Sequence, residues 1–257
     1  MGVVNVTPDS FSDGGRFLRT EDAIAQARRL VAEGADILDI GGESSRPGAE
    51  EVSEQEELDR IAPVVEALAG ELVTPLSIDT YKPAVAEQCL RLGARWVNDI
   101  TGLEDPEMVR VAAEAGASVV IMHMRGRPKT MQQDPQYEDL VGEIVGFLRE
   151  RAGRAHDAGI EEVVVDPGIG FGKTARHNFE LIRRLDELGV LDLPVLVGPS
   201  RKSFLGSLPS ALPSESRLEG TLAAVAVSIF NGASIVRVHD VKETKRVVEV
   251  VDAIRSA

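Results

Sequence analysis

The chain has 257 residues, of which 43% are hydrophobic and 27% are charged, a composition typical of globular proteins that excludes a disordered or fibrous chain. Its formal net charge of -14 disfavours duplex nucleic acid as a partner, because affinity for a phosphate backbone comes mainly from lysine and arginine. The single cysteine, Cys89, excludes an intrachain disulfide framework and a thiolate metal cluster. No run approaches the ~18 consecutive apolar residues of a membrane span and no basic, apolar leader opens the sequence, so we expect no membrane partner and a cytoplasmic location.

Short apolar runs rich in β-branched residues recur eight times along the chain. They lie at residues 3–6, 37–40, 73–78, 96–100, 119–122, 163–165, 195–197 and 235–238. Between them apolar residues have helical spacing, as in Ala23, Ala27 and Leu30. Eight strand-helix units in about 250 residues predict an α/β fold, a single (β/α)8 TIM barrel, rather than an open doubly wound sheet. No linker or low-complexity run interrupts this pattern, so we expect one domain over residues 1–257.

Three connections that follow predicted strands are long and polar. They are residues 7–20 after the first strand, 43–54 after the second and 125–139 after the fifth. Loops at the C-terminal face of a barrel carry its active site, and long ones act as lids. We therefore expect these three loops to border the site.

Every predicted strand ends in a polar group. These groups are Asn5, residues 39–43, Asp79, Asn98 with Asp99, His123, Asp166, residues 200–202, and Arg237 with His239. Any one of them alone is equally well explained as the place where a strand stops. Together they indicate a pocket, because the strand ends of a barrel meet at one mouth, here with carboxylates and amides on one arc and cations on another.

A glycine-rich run, DPGIGFGKT, follows the sixth predicted strand at residues 166–174. It fails the pattern of a phosphate-binding P-loop, because Pro167 stands where the first glycine is required. A plain strand-to-helix turn explains the glycines but not the acid at the strand end. We therefore expect Asp166 to face into the barrel.

Cations collect after the last two predicted strands, where Arg201 and Lys202 follow the seventh and Arg237 and His239 end the eighth. Loops in these positions are the usual phosphate site of a barrel. Because the protein is acidic overall, cations concentrated there indicate an anionic ligand.

Metal binding is less well determined by the sequence. The polar run that begins at Asn5 carries oxygen donors suited to Mg²⁺, and an Asx- and Ser-rich turn explains the same run equally well. His123 can be a packed core histidine, and four scattered histidines without a cluster argue against a zinc site.

Seven sequence blocks stand out in order along the chain. They are MGVVNVTPDSFSDGG at residues 1–15, GADILDIGGESSRPGA at 34–49, SIDT at 77–80, VNDI at 97–100, DPGIGFGKT at 166–174, GPSRKSFLG at 198–206 and RVHDV at 237–241. Each tetrapeptide alone would be weak support. In this order and at these intervals the blocks resemble the dihydropteroate synthases along almost the whole chain.

The resemblance implies that (7,8-dihydropterin-6-yl)methyl diphosphate is joined to 4-aminobenzoate to give 7,8-dihydropteroate and diphosphate, with Mg²⁺ as cofactor. It implies three groups of site residues. The pterin would be held by Asp79, Asn98, Asp166 and Lys202, with Asp79, Asp166 and Lys202 as catalytic residues. The diphosphate would be received by Asn5, Arg237 and His239, with the metal at Asn5. The binding site for 4-aminobenzoate would be lined by Ser45, Arg46, Pro47, Phe171 and Ser203. The partners implied are these small molecules and a second copy of the chain, as a homodimer.

Two departures from the family pattern are visible. Family members usually have residues before the first strand, whereas here that strand starts beside Met1, so an uncovered barrel bottom and a shortened start both stay open. Ser45 stands where the family commonly has threonine, which keeps the hydroxyl.

Two other functions stay open as alternatives. One is a methyltetrahydrofolate:corrinoid methyltransferase, a related pterin-binding barrel with no diphosphate to bind. The other is a barrel that binds pterin without catalysis. The cations after the last two strands and the oxygen-rich first loop favour the synthase over the methyltransferase. The non-catalytic barrel is disfavoured because the residues that the family uses are present, namely Asn5, Asp79, Asp166, Lys202 and Arg237.

Overall fold

The computed structural model describes residues 1–7, 16–44, 48–208, 213 and 216–257, with only the backbone of residues 16–19. In this part of the chain, eight β-strands alternate with eight α-helices. The strands are β1 Gly2–Asn5, β2 Leu38–Gly41, β3 Leu76–Asp79, β4 Trp96–Asp99, β5 Ser118–Met122, β6 Val163–Asp166, β7 Leu196–Val197 and β8 Ile235–Val236. The helices are α1 Arg16–Ala32, α2 Glu54–Ala69, α3 Pro83–Arg91, α4 Pro106–Ala115, α5 Leu140–Asp157, α6 Ala175–Arg183, α7 Leu218–Phe230 and α8 Val241–Arg255.

All strands run parallel and close into a barrel. Strands β1 to β6 pair in chain order, and β7 pairs with β8. A parallel bridge between Val165 and Val195 joins the two sets at one side, and a bridge between Gly2 and Val238 closes the circle at the other. The predicted (β/α)8 barrel is therefore confirmed.

Side chains of the strands alternate between the helix layer and the barrel interior, as the period of two requires. Val4, Ile40 and Ile78 belong to a fully buried cluster with Leu30 of α1 and Ile61 of α2. A separate buried cluster, formed by Met1, Val120, Val164 and Leu196, fills the barrel interior. Burial of a Val, Leu or Ile side chain contributes about 1.5 to 3 kcal/mol, so these two layers hold the strand ends in fixed positions.

Local sequence signals set several helix ends. The Asp105 side chain accepts a hydrogen bond from the Glu107 backbone N–H, Pro106 opens α4, and Gly116 ends it in the left-handed conformation that glycine tolerates. Helix α6 starts with a capping box, in which Thr174 accepts from the His177 backbone N–H and the His177 ring accepts in return. Such caps contribute about 1 kcal/mol each and define where the loop before the helix stops.

The structure corrects some predicted boundaries. Strand β3 begins at Leu76 rather than at residue 73, and Val73 is fully exposed. Pro75 lies directly before the strand and has no N–H to donate, while its carbonyl accepts from Leu38. Helix α1 begins at Arg16, so residues 16–20 of the predicted first loop are helical. Strands β7 and β8 have two residues each, and the flanking residues Val195 and Val238 form the closing bridges to Val165 and Gly2.

The three predicted lid loops are described to different extents. Residues 8–15 of the first and 45–47 of the second lie outside the described residues, whereas 125–139 are described in full. None of the helices in the described ranges is both long enough and apolar enough to cross a membrane.

Candidate active site

Neighbouring strands bring the predicted pterin residues together at the barrel mouth. Asp79 at the end of β3 is in register with Asn98 at the end of β4. Asp166 ends β6, in register with Met122 of β5. Because each of these side chains stands at the C-terminal end of a strand, all of them reach the same mouth.

The guanidinium of Arg237 bridges two carboxylates in this mouth. Its Nε donates to Asp39 Oδ2 at 2.6 Å and its Nη2 donates to Asp79 Oδ2 at 2.7 Å. Asp39 is fully buried, and only 21% of the Arg237 side chain is exposed. Burial raises the pKa of Asp79 to about 7, and the charge of Asp39 adds to that rise while Arg237 opposes it. Arg237 thus compensates two negative charges that the barrel removes from water.

Asn98 completes this cluster on the β4 side. It is buried, and its Nδ2 donates to Asp39 Oδ2 at 3.0 Å. The next residue, Asp99, has a different task, since its carboxylate accepts from the backbone N–H groups of Thr101 and Leu103 and fixes the turn after β4. Of the two polar residues at this strand end, only Asn98 joins the carboxylates of the mouth.

Asp166 and Lys202 form the opposite side of the site. Burial raises the pKa of Asp166, and the positive charge of Lys202 is the largest influence that opposes the rise. Burial also lowers the pKa of Lys202 to about 8, with Asp166 opposing. The Lys202 ammonium donates to the carbonyl of Ile169 and lies 4.4 Å from the centroid of the Phe171 ring. The Lys202 ammonium, whose pKa burial lowers to about 8, thus lies beside an aromatic ring and is influenced by the charge of a buried carboxylate.

Two glycines of the DPGIGFGKT run allow this close packing. Gly168 has a φ of 72°, and a Cβ atom there would lie 1.9 Å from the carbonyl oxygen of His123. Gly170 has a φ of 85°, and a Cβ atom there would lie 2.8 Å from Cδ of Lys202. Both positions therefore require glycine for conformation and for space. The glycines shape the turn that presents Phe171 and admits the lysine, as expected for a strand-to-helix turn.

The predicted diphosphate residues lie where β8 closes against β1. Arg237 and His239 flank Val238, which bridges to Gly2 of the strand that ends at Asn5. His239 Nδ1 lies 2.9 Å from the hydroxyl oxygen of Ser200, and Asn5 is half-buried. The structure thus places Arg237 and His239 beside β1, the strand that ends at Asn5.

The two cations that follow β7, Arg201 and Lys202, have side chains that turn in different directions. Arg201 has a φ of 57° and its Nε donates to Asp240 Oδ2 at 3.0 Å, so it ties the β7 loop to the start of α8. Lys202, the next residue, turns into the site instead. The two adjacent cations thus have different partners, because Arg201 pairs with Asp240 and Lys202 enters the site.

The predicted 4-aminobenzoate residues are only partly described. Phe171 is half-buried beside Lys202, and Ser203 is exposed at the start of a 3-10 helix that spans Ser203–Ser207. The other three predicted residues, Ser45, Arg46 and Pro47, lie outside the described residues.

Sequence reasoning missed a buried lysine behind this site. Lys173 is 2% exposed, and its Nζ donates to the carbonyl of Phe171 at 2.9 Å and lies 3.0 Å from His123 Nδ1. Burial lowers the pKa of Lys173 well below its ordinary value. His123, for which a core role was one interpretation, is buried, and burial also lowers its pKa far below its ordinary value. The signal that could have found Lys173 is its place in the DPGIGFGKT run, one residue after a glycine that must approach backbone closely.

A second missed cluster supports the loop after β2. The Lys82 ammonium contacts the carboxylate of Glu43 and lies 2.5 Å from Glu57 Oε2, and the Tyr81 hydroxyl donates to Glu43 at 2.8 Å. Glu43 also accepts from the backbone N–H of Val52 at 3.1 Å. A cavity of about 320 Å³ lies beside this cluster, and Asp79, Asn98, Asp166 and Lys202 are not among the residues that line it. The residues predicted to hold the pterin are thus at the strand ends and not in the lining of this cavity.

Known proteins match the chain over its whole length. The sequence profile of the pterin binding enzyme family matches residues 1–239. The dihydropteroate synthase of Escherichia coli strain K12 is 49% identical over 259 residues, which cover 100% of this chain and 92% of that protein. The dihydropteroate synthase of Bacillus subtilis strain 168 is 45% identical over 257 residues, which cover 99% of this chain and 87% of that protein.

Solved structures agree with the sequence matches. The Yersinia pestis dihydropteroate synthase in complex with a sulfonamide drug is 48% identical, with a TM-score of 0.94, and the match covers 100% of this chain and 94% of that one. The Xanthomonas albilineans dihydropteroate synthase with 4-aminobenzoic acid is 44% identical, also with a TM-score of 0.94, covering 100% of this chain and 93% of that one. This chain belongs to the pterin binding enzyme family, among the dihydropteroate synthases.

Proposed function

We infer that this chain joins (7,8-dihydropterin-6-yl)methyl diphosphate to 4-aminobenzoate and gives 7,8-dihydropteroate and diphosphate, as a dihydropteroate synthase. The observation that carries this function is the barrel mouth, where buried carboxylates and an amide lie beside cations contributed by β7 and β8. Full-length relatives with that activity support the same conclusion. We place the enzyme in the cytoplasm, as one domain.

Asp79, Asn98, Asp166 and Lys202 recognise the pterin. The fused ring presents N–H donors and a carbonyl along its edges, and carboxylate and amide groups can read both kinds of group. Asp166 and Lys202 each favour the charged form of the other, so the site offers the ring an acceptor and a donor. Lys202 approaches the ring carbonyl and N5, and Phe171 lies beside it.

Asn5, Arg237 and His239 receive the diphosphate. Arg237 brings a positive charge that remains at all accessible pH values, and its position between Asp39 and Asp79 fixes the guanidinium. His239 stands two residues further, beside Ser200. Together these groups place donors for an anion at the end of β8, next to β1.

Asn5 would be the protein ligand of Mg²⁺. No group of three or more His, Cys, Asp or Glu residues in the described ranges could hold a metal ion. Mg²⁺ suits that situation, because it takes few protein ligands and completes its shell with water and phosphate oxygens. When bound, the ion would neutralise charge on the diphosphate.

The reaction breaks the bond between the pterin methylene carbon and a diphosphate oxygen, and a bond from that carbon to the arylamine nitrogen forms. Arg237 and His239 stabilise the negative charge that grows on the departing diphosphate. Asp79 and Asp166 stabilise the positive charge that grows on the pterin and its methylene. The arylamine nitrogen then loses a proton, so charge is balanced in the product.

Ser45, Arg46, Pro47, Phe171 and Ser203 line the 4-aminobenzoate side. Phe171 offers an aromatic face next to Lys202. Ser203 follows Lys202 in the sequence and offers a hydroxyl. This arrangement would hold the arylamine beside the pterin methylene and its carboxylate toward the rim.

The enzyme acts as a homodimer that pairs through α7 and α8. Large apolar side chains are exposed on both helices, namely Val227 at 47% and Phe230 at 62% on α7, and Val250 and Ile254 at 60% each on α8. A cluster of this kind on the surface of a folded protein marks an interaction site. A second copy of the chain would cover it.

The function is tested by measuring diphosphate release and dihydropteroate formation with and without 4-aminobenzoate and Mg²⁺. We expect release to depend on both. Lys202→Met should abolish it, whereas Lys245→Met should not, because Lys245 contacts Asp36 on the surface before β2. Pterin binding without diphosphate release would refute the synthase function.

A further inference from the structure

Asp39 is not among the residues proposed above to contact the substrate, but it is hydrogen-bonded to two of them, Asn98 and Arg237. Its neighbours in β2, Leu38 and Ile40, pack toward the helices, so the alternation of the strand turns Asp39 inward. Its Oδ2 accepts from both Asn98 and Arg237. Its Oδ1 is buried without a hydrogen-bond partner among the described residues. Asp39 therefore uses a single carboxylate oxygen to accept hydrogen bonds from Asn98 and Arg237, two residues that are proposed to contact the substrate.

The contact with Asn98 determines which way that amide faces. A carboxylate only accepts hydrogen bonds, so Asn98 must turn its NH2 group toward Asp39. The amide oxygen of Asn98 then points away from Asp39. With Asp39 absent, the amide could rotate by half a turn and present its NH2 group in place of its oxygen.

The contact with Arg237 determines which nitrogen remains for substrate. Nε is engaged by Asp39 and Nη2 by Asp79, so Nη1 is the nitrogen without a hydrogen bond among the described residues. Asp79 alone would still hold one edge of the guanidinium. Loss of Asp39 should therefore disturb Asn98 more than Arg237.

We propose that Asp39 is a positioning residue that locks Asn98 with its amide oxygen toward the pterin, so that the site selects a ring edge that carries N–H donors. The inference rests on the proposed function, because it takes the pterin as the ligand of Asn98. Asp39 itself is too deep to serve as the group that reads the ring, since it is fully buried behind Asn98 and Arg237.

A double-mutant cycle tests this role. Asp39→Ala and Asn98→Ala would be made singly and together, and 6-hydroxymethyl-7,8-dihydropterin would be titrated by calorimetry. We expect Asp39→Ala to weaken binding about tenfold or more in the presence of Asn98, because an oriented acceptor is lost. In the Asn98→Ala background the same change should have an effect of about twofold or less. Equal losses in both backgrounds would overturn the inference.

Two further variants keep the test decisive. If Asp39→Ala does not fold, Asp39→Asn replaces it in the cycle, since its amide oxygen can still accept but without charge, and the same dependence on Asn98 is expected with a smaller loss. Ile144→Val, on the buried face of α5, serves as a control for lowered stability and should leave the pterin affinity unchanged. Inorganic diphosphate affinity should fall less than pterin affinity in Asp39→Ala, and a larger fall would contradict the proposed role.

The wild-type protein separates this inference from the function itself. If it neither binds the pterin nor forms dihydropteroate, the proposed function fails. If it does both and the cycle is additive, only the role of Asp39 fails.

Discussion

Replacing Arg237 by alanine should destabilise the protein as well as remove an anion ligand. The change would delete both short hydrogen bonds, of 2.6 and 2.7 Å, and leave the carboxylates of Asp39 and Asp79 without their cation. Breaking a buried ion pair by removing one partner costs about 3 to 5 kcal/mol. Because 21% of the Arg237 side chain is exposed and water can enter the space that alanine leaves, we expect about 3 kcal/mol. At a urea m-value of about 3 kcal/mol/M this loss lowers the unfolding midpoint by about 1 M.

The loss should depend on pH in a defined direction. The pKa of Asp79 is raised to about 7 in the folded protein, above the ordinary value for an aspartate, so ionisation of this group opposes folding as the pH rises. Arg237 lowers the pKa of Asp79, so its removal raises that pKa further and increases the penalty above pH 7. Below about pH 7 Asp79 is protonated in the folded state with or without Arg237, so the part of the penalty that comes from this carboxylate shrinks.

Urea unfolding of wild type and Arg237→Ala near pH 8 and near pH 5.5 would measure this effect. Arg237→Lys keeps the positive charge and should lose less stability at the higher pH. Arg246→Ala, on the exposed face of α8, is the control and should change the unfolding free energy by less than about 0.5 kcal/mol. A penalty for Arg237→Ala below about 0.5 kcal/mol near pH 8, or one that is equal at both pH values, would refute the reasoning.

Three other outcomes follow from the site and the surface. Asp166→Asn places an NH2 group where a carboxylate accepts, so pterin affinity measured by calorimetry should fall about tenfold or more, and activity within a few-fold of wild type would count against Asp166 as a pterin ligand. Because the pKa of Lys202 is lowered to about 8, kcat/KM should decline above about pH 8 as the ammonium is lost, and Lys202→Arg should remove that decline; a profile identical in both would show that another group titrates. Phe230→Glu should convert the proposed homodimer to monomer in sedimentation experiments; an unchanged dimer would place the interface elsewhere, and a monomeric wild type would refute the dimer itself.

The sequence alone determined the order of the elements and most of the chemistry at the strand ends. Eight apolar runs with amphipathic stretches between them were enough to predict a barrel, because only parallel strands joined by helices satisfy that alternation. The sequence also predicted that Asp79, Asn98, Asp166 and Lys202 lie at the mouth of the barrel, since a barrel places every strand end at one mouth. Strand boundaries were less certain, as at Val73, where Pro75 rather than the apolar run decides the start of β3.

Side-chain pairing required the tertiary structure, because it depends on residues far apart in the chain. Arg237 contacts Asp39 and Asp79 across 198 and 158 residues, since closure of the barrel brings β8 around to β1 and its neighbours. Arg201 and Lys202 are adjacent and both basic, yet a positive φ at Arg201 turns it to Asp240 while Lys202 enters the site. A sequence lists which charges are available, and only the closed barrel decides which of them compensate one another and which remain for the substrate.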